Sequence, residues 1–423
     1  MSHPQWELSI PQSCLIATDP VSHALSSLSY YCRNALLSKT SSEVQQHFGR
    51  LDGALEVFTS VHSSILPSLK HYLNLFLLSL DLEGDKRPPN PDMKSLAESM
   101  LELERTLHNL NEFMGTLSSF YEKYSNVSLW STDYIGDHHL QDLKFFKFSL
   151  IHPEVRDLVQ SELGGLFADC RTLIGIYKQS DYLAKSLYRQ AVLASTAACN
   201  RSIDHIIKLA RQSDFAILRD IWQADTDLMD DSLQALTSVT RRMPHSEPER
   251  PPTSVDDAGD RILIDLNQER ILRLARSAIP LVKLTRLFLN KLSKMTKDGS
   301  AFKLNPELDS RTLDFLSKCP GLIATHVYEV AMSISALHEN NQRIDGSLMS
   351  ASSLDTLSNE LKFILLLLPS RLIPITPHSD HSTSPSHFSL WSCDLKALWS
   401  KAVSSFLEAS SQAELGELFR NWE

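Results

Sequence analysis

The chain has 423 residues, enough to bury one large core or two ordinary ones, and its formal net charge is −10. A composition of 42% hydrophobic and 22% charged residues excludes a disordered chain, and the acidic balance argues against a general nucleic-acid binder. Only 13 glycines occur, and apolar residues recur at steps of three and four. We therefore predict an all-α protein of one or two packed up-and-down bundles of long kinked helices.

The six cysteines stand far apart in the sequence and form no C-x-x-C pair. This spacing argues against a zinc ribbon or a disulfide framework and predicts reduced, partly buried thiols. Residues 1–17 lack a basic segment followed by a long apolar run, and the strongest apolar run, at residues 363–368, is too short to span a bilayer. We expect a soluble protein of the cytoplasm or the nucleus.

The N-terminal part of the chain has the pattern of a bundle. After a tail at residues 1–18, residues 19–243 carry apolar residues at helical spacing. We predict a helix from Asp19-Pro20 to about residue 38, a long helix from residue 41 or 42 to about residue 80 that Pro67 bends or splits, a helix at residues 92–124, a helix that Pro153 opens, and further helices at residues 177–211 and 214–242.

The C-terminal part is divided by two segments of flexible composition. Residues 244–258 are rich in proline and predict a linker, and residues 369–388 combine Ser, Thr, Pro and His. Between them, residues 259–368 form helices that pack on or complete the bundle. These include a helix at residues 310–338 that Pro320-Gly321 breaks or bends. Residues 389–423 form the C-terminal helices.

The most sharply patterned stretch of the chain is a basic amphipathic helix at residues 260–297. Lys and Arg contribute nine side chains to residues 259–297 and Asp and Glu contribute three, in a chain that is acidic as a whole. One side is apolar and the other basic, and Pro280 predicts a kink. The apolar side contains Ile271, Leu274, Ala278, Leu281, Val282, Leu284, Phe288, Leu289, Leu292 and Met295. The basic side is interrupted by Leu272, Ile279 and Leu287.

The preceding predicted helix, at residues 214–242, is acidic and offers a structural explanation for both charge runs. It carries Asp220, Asp225, Asp227, Asp230 and Asp231. It lacks the glycine and the terminal glutamate of a calcium-binding loop, so we exclude an EF-hand. The acidic and basic helices are candidates for antiparallel neighbours whose charged faces pair with each other.

We predict that the basic helix also binds a partner. The candidate residues are Arg273, Arg276, Lys283, Arg286, Leu287 and Lys294. The leading hypothesis is a non-enzymatic adaptor or regulatory protein that binds another protein through this helix face. The alternatives are a peripheral membrane protein that uses the same helix and an enzyme with an unrecognised site.

No catalytic, cofactor-binding or metal-binding residue is predicted from a motif. The chain contains no G-x-S-x-G, phosphate-binding loop, dinucleotide fingerprint or H-E-x-x-H sequence. The adjacent His138 and His139 lack a third ligand at useful spacing, and the histidines near residue 380 fit a flexible segment better than a metal site. We expect no cofactor, no small-molecule substrate and no nucleic-acid partner.

The order of helices, the acidic residues 225–231, the helix at residues 273–294 and the sequence LDFLSKCPGLIATHVYEVAMSISAL at residues 313–337 together resemble the cyclin-D-binding helical proteins. Those proteins are helix bundles related to vinculin and α-catenin. The resemblance covers residues 51–368 and implies an adaptor that binds a regulatory protein, such as a cell-cycle regulator. The chain is also similar to an uncharacterised fungal family of helical proteins, which implies no function.

Overall fold

The computed structural model describes residues 20–34, 51–82, 92–125, 137, 140, 144–177, 182–241, 255–294, 302–305, 307–340, 351–374 and 385–418. Within these residues the protein is all-α, as predicted, apart from one short ribbon of two strands. The predicted N-terminal tail, the helix start at residue 41 or 42, His138 and His139, most of the linker at 244–258 and the histidines near residue 380 lie outside the described residues.

The chain divides into two compact units, which we call unit 1 and unit 2. Unit 1 comprises Met1–Ile135 and Asp142–Gln212, and unit 2 comprises Gly136–Gln141 and Ser213–Glu423. The division after Gln212 falls inside the predicted bundle at residues 19–243. The predicted linker at 244–258 therefore connects two helices of the same unit.

Unit 1 is helical throughout its described part. Its helices are α1 (Pro20–Asn34), α2 (Leu51–Ser60), α3 (Leu66–Ser79), α4 (Met93–Ser125), α5 (Phe145–Asp157), α6 (Gly164–Tyr177) and α7 (Tyr182–Arg211). Helix α1 packs on α6, α3 packs on α4, and α6 packs on α7. The rings of Phe76 and Phe167 meet edge to face in the core, with centroids 6.1 Å apart.

Two prolines of unit 1 lie in continuous helical stretches. A π-helical turn, Val61–Ile65, joins α2 to α3, and Pro67 sits in the first turn of α3, where a missing N–H costs little. Pro67 thus coincides with a change of helical type. The prediction that Pro153 opens a helix is wrong, because α5 begins at Phe145 and contains Pro153. The side chains of Phe146, Phe148 and Ile151 are buried, and their burial offsets the cost of about 3 kcal/mol that an internal proline imposes.

The described part of unit 2 consists of five helices and two short strands. It contains α8 (Asp214–Arg241), α9 (Val255–Lys294), β1 (Phe302–Leu304), α10 (Ser310–Glu339), α11 (Ala351–Arg371), β2 (Leu372–Pro374) and α12 (Pro385–Leu418). Helix α9 packs against α8, α10 and α12, and α11 packs against α10 and α12. The two strands pair antiparallel, with Phe302 opposite Pro374.

The predicted bounds of both flexible segments of unit 2 are wrong. Helix α9 begins at Val255, and the acidic residues at positions 256 and 257 suit the positive end of a helix. Helix α11 continues through Pro369 to Arg371, strand β2 follows directly, and α12 begins at Pro385. A proline this close to a helix end removes one hydrogen bond, whereas Leu365 and Leu368 gain burial. Helix α9 also contains Pro280, and the kink there stays a prediction.

Of the break or bend predicted at Pro320-Gly321, the break is wrong, because α10 runs without interruption from Ser310 to Glu339, and the bend stays a prediction. Pro320 has no N–H to donate to the carbonyl of Leu316, four residues earlier. The indole Nε1 of Trp222, on α8, donates to that carbonyl at 2.9 Å. Trp222 is buried on the neighbouring helix α8, and its indole supplies the hydrogen bond that Pro320 cannot donate to the Leu316 carbonyl.

Candidate partner-binding surface

One side of α9 is exposed along the length of its described side chains. From residue 266 onward the exposed positions recur every three or four residues until Leu287. They are Leu266, Glu269, Arg273, Arg276, Pro280, Lys283 and Leu287, followed by Lys294. We call the four cations Arg273, Arg276, Lys283 and Lys294 the basic stripe. Five of the six predicted partner-binding residues, all except Arg286, therefore share one exposed face.

The opposite side of α9 forms part of the core of unit 2. Of the predicted apolar residues, Leu284 is half-buried and Met295 lies outside the described residues. The others are buried, namely Ile271, Leu274, Ala278, Leu281, Val282, Phe288, Leu289 and Leu292. The predicted amphipathic pattern is thereby confirmed, and the apolar side is occupied by packing within the unit.

Arg286 differs from the other candidate residues because it is half-buried and already paired. Its guanidinium forms an ion pair with the carboxylate of Asp230 on α8. The predicted charge pairing between the acidic and basic helices is observed at this point, and their antiparallel direction stays a prediction. Arg286 joins the two helices, so its charge is less available to an external partner than that of an exposed residue.

Most of the basic stripe remains without a partner in the described part of the chain. Arg276, Lys283 and Lys294 are exposed and make no ion pair with any described residue. Arg273 donates to Glu269 on its own helix at 3.3 Å, an exposed contact that contributes little to stability. The stripe is thus a row of available positive charge.

Helix α12 contacts both ends of this surface, which the sequence did not indicate. Arg273 donates to the side-chain oxygen of Gln412 at 3.1 Å. Near the other end of α9, the Lys291 ammonium lies 5.7 Å from the centroid of the Trp391 ring, within cation–π range. These contacts join positions 100 and 139 residues apart, and no local sequence pattern records them.

The apolar residues that interrupt the basic side have different environments. Leu272 and Ile279 are half-buried, whereas half of the Leu287 side chain is open to solvent (50%). Leu287 follows Lys283 by one helical turn. An apolar side chain within a row of cations provides a contact that charge alone does not.

The titratable groups of the described residues form no metal-binding cluster. No three His, Cys, Asp or Glu side chains of the described part converge to hold a metal ion. The thiols of Cys32, Cys170, Cys199 and Cys319 are free and buried, Cys393 is free and exposed, and the reduced state of the cysteines stays a prediction. Burial raises the pKa of Cys32 to about 12, which makes its thiol a poor nucleophile. The absence of a cofactor stays a prediction.

Asp225 is a carboxylate of unit 2 whose ionisation is strongly affected by burial. Burial raises its pKa from 3.8 to about 6. The carboxylate lies against Gly321 of α10, where an added Cβ would stand 3.3 Å from Oδ2. Its Oδ2 accepts no hydrogen bond from a described residue. We interpret Asp225 as a packing residue at the contact between α8 and α10.

Two family models match the chain, one for each unit. Residues 213–408 match a domain of unknown function, DUF8721, and residues 55–211 match a second domain of unknown function, DUF8723. The matches meet where the structure separates the units. No curated protein and no solved structure matches the chain. None of the described helices is both long enough and apolar enough to cross a bilayer.

Proposed function

We propose that this protein is a non-enzymatic interaction protein, an adaptor or regulator, that binds an acidic protein through the basic stripe of unit 2. The observation that carries the proposal is the exposure of Arg276, Lys283 and Lys294 without an acidic neighbour among the described residues. An unpaired row of cations in a chain of net charge −10 attracts anionic partners and orients their approach.

Burial of the apolar side of α9 favours a protein partner over a membrane. A helix that lies in a bilayer interface inserts its apolar face among the lipid chains. On α9 that face, which includes Leu274, Val282 and Leu289, is packed inside unit 2. Insertion would require the unit to open, whereas binding an acidic protein uses the surface as it stands.

The resemblance to the cyclin-D-binding helical proteins is consistent with this proposal, since it also implies an adaptor without catalysis. It remains a hypothesis, as does the identity of the partner as a cell-cycle regulator. A cytoplasmic or nuclear location belongs to the same hypothesis.

Charge reversal on α9 tests the proposal. Purified wild-type chain is used to capture proteins from an extract, and each captured protein is purified and titrated against the variant Arg276→Glu/Lys283→Glu. We expect its affinity to fall about ten-fold or more near 0.15 M salt, because two attractions become repulsions. The matched control is Arg201→Glu/Lys362→Glu, which reverses one exposed arginine on α7 and one exposed lysine on α11.

The control variant should bind like the wild type. Equal affinity of the wild type and the Arg276→Glu/Lys283→Glu variant for every captured protein would remove the basic stripe as a binding site.

A further inference from the structure

The contacts between α9 and α12 define how the two helices are aligned. Lys291 meets Trp391, and Arg273 meets Gln412, so the helices run antiparallel. Leu398 follows Trp391 by seven residues, two helical turns, and therefore faces nearly the same side of α12 as both contact residues. In this register Leu398 lies opposite the turn of α9 that carries Leu287.

Leu287 and Leu398 are both exposed. Their exposed fractions are 50% and 53%. The neighbouring apolar residues Leu289 and Leu395 are buried, so each helix has an ordinary core side as well. The register of α9 and α12 sets these two exposed leucines on neighbouring helix faces, and we call the pair the apolar point.

Cations surround this apolar point along α9. Lys283 lies one turn before Leu287, Lys294 lies two turns after it, and Arg276 lies two turns before Lys283. Protein interfaces commonly combine a small apolar centre, which contributes most of the affinity, with a charged rim that selects the partner. On the α9 side the exposed ionisable residues from Arg273 to Lys294 are all cations, whereas α12 has the exposed Asp394 and Lys401 on either side of Leu398.

We propose that Leu287 and Leu398 are the apolar anchor of the partner-binding surface, and that the partner presents an acidic amphipathic helix with a large apolar side chain between its carboxylates. This inference rests on the proposed function and names the chemistry of the partner. Helix α12 then supplies half of the anchor, which places the site across two helices of unit 2 rather than on α9 alone.

The spacing of the cations favours a helical partner. Arg276 and Lys283 are seven residues apart, which corresponds to about 10 Å along α9 at 1.5 Å per residue. Acidic residues seven positions apart on a second helix have the same spacing and the same face. A helix that lies along a groove is recognised through side chains at such intervals, with apolar anchors between them.

The test uses two synthetic alanine-based helical peptides. The first carries glutamates repeated at seven-residue intervals and one central leucine, and the second replaces that leucine by serine. Binding of each labelled peptide to the full-length wild type, to Leu287→Ser/Leu398→Ser and to Arg276→Glu/Lys283→Glu is followed by fluorescence anisotropy. The matched control, Leu187→Ser/Leu366→Ser, removes two exposed leucines from other helices.

We expect the wild type and the control to bind the leucine peptide about ten-fold more tightly than the serine peptide, because a leucine side chain leaves water. The Leu287→Ser/Leu398→Ser variant should bind both peptides with the affinity that the wild type has for the serine peptide. The charge-reversed variant should lose both. Equal binding of the two peptides to the wild type would overturn the anchor and leave the proposed function intact, whereas no binding of either peptide would contradict the function itself.

Two further measurements distinguish other occupants of this surface. In sedimentation experiments the wild type should have the same mass as Leu287→Ser/Leu398→Ser, and a dimer that the substitutions dissolve would overturn the proposal in favour of a second copy of the chain. With vesicles of anionic phospholipid neither protein should co-sediment. Co-sedimentation that depends on the two leucines would contradict the proposal that the partner is an acidic helix and would indicate a membrane instead.

Discussion

At the residue scale, the contact between Trp222 and Leu316 explains how unit 2 accommodates a proline within a buried helix. Pro320 leaves the Leu316 carbonyl without its intrahelical donor, and the Trp222 indole replaces that donor from α8. A buried carbonyl with no donor costs about 1–3 kcal/mol. Trp222 therefore stabilises α10 as well as filling volume between the helices.

The substitution Trp222→Phe should lower the free energy of unfolding by about 1–3 kcal/mol, since it leaves the Leu316 carbonyl unpaired. In the background Pro320→Ala the residue at 320 has an N–H for that carbonyl, so Trp222→Phe should cost about 1 kcal/mol less there. Denaturant unfolding of the four proteins measures the coupling. An identical cost in both backgrounds would show that the indole acts only through its volume.

Asp225 should make the stability of unit 2 depend on pH. Burial raises its pKa from 3.8 to about 6, so the folded state binds the proton more tightly than the unfolded state does. The free energy of unfolding should therefore fall as the pH rises from about 4 to about 6. The variant Asp225→Asn should flatten this part of the profile, as measured by thermal unfolding at several pH values.

The control for this measurement is Asp231→Asn, which changes an exposed aspartate of the same helix. Its profile should follow that of the wild type. A profile of Asp225→Asn that keeps the wild-type slope between pH 4 and 6 would contradict the assignment of the slope to Asp225.

At the element scale, the N-terminus of α10 is held by two carboxylates from different parts of the chain. Asp309 is the capping residue and accepts a hydrogen bond from the N–H of Thr312 at 2.9 Å. Asp137, which lies in sequence between helices of unit 1, accepts one from the N–H of Ser310 at 2.7 Å and another from its hydroxyl group. Both Asp137 and Ser310 are buried. A negative charge is favourable at this end of a helix.

Replacement of Asp137 by alanine should destabilise unit 2 by about 2–3 kcal/mol, because the buried N–H and hydroxyl of Ser310 lose their acceptor. The comparison is Asp309→Ala, which removes an ordinary cap and should cost about 1 kcal/mol. Denaturant unfolding monitored by tryptophan fluorescence measures both. Asp137→Ala would contradict this account of α10 if it cost no more than Asp309→Ala.

The helices with regular apolar spacing could be predicted from the sequence with small errors. Helix α4 was expected at residues 92–124 and spans Met93–Ser125, and α8 was expected at residues 214–242 and spans Asp214–Arg241. The prolines misled the prediction at α5, α10 and α11, because a local cost in hydrogen bonding was offset by burial or by a donor from another helix. Such donors are distant in sequence and leave no local pattern.

For the candidate surface, the sequence identified the row of cations on α9 but not its surroundings. Periodicity places Arg273, Arg276, Lys283 and Lys294 on one face, and this placement is confirmed. Periodicity could not indicate that Asp230 pairs with Arg286 or that α12 lies beside α9. Those facts depend on which helices share a core, and they decide which cations remain available.

At the scale of the whole molecule, the chain forms two compact units, each with its own core. Proline-rich composition at residues 244–258 suggested a boundary there, yet α8 and α9 on either side pack against each other. The separation after Gln212 falls where only two residues part α7 from α8. Composition locates polar connections, but only packing decides which helices belong together.

A cavity made in the core of one unit should destabilise that unit and leave the other unit unchanged. Leu166→Ala in unit 1 and Leu236→Ala in unit 2 both truncate a leucine that is fully buried (0% exposed), and each should cost about 2–5 kcal/mol. Amide hydrogen exchange should accelerate in the unit that carries the substitution and stay at the wild-type rate in the other unit. Acceleration in both units after either substitution would contradict the division into two cores.

In the proposed function a partner covers the basic stripe of α9. Lysine acetylation followed by mass spectrometry tests it directly, comparing the purified chain with the chain in a cell extract. We predict that Lys283 and Lys294 react readily in the purified chain and are protected in the extract, while the exposed Lys362 reacts equally in both. Equal reactivity of Lys283 and Lys294 in the two samples would contradict the claim.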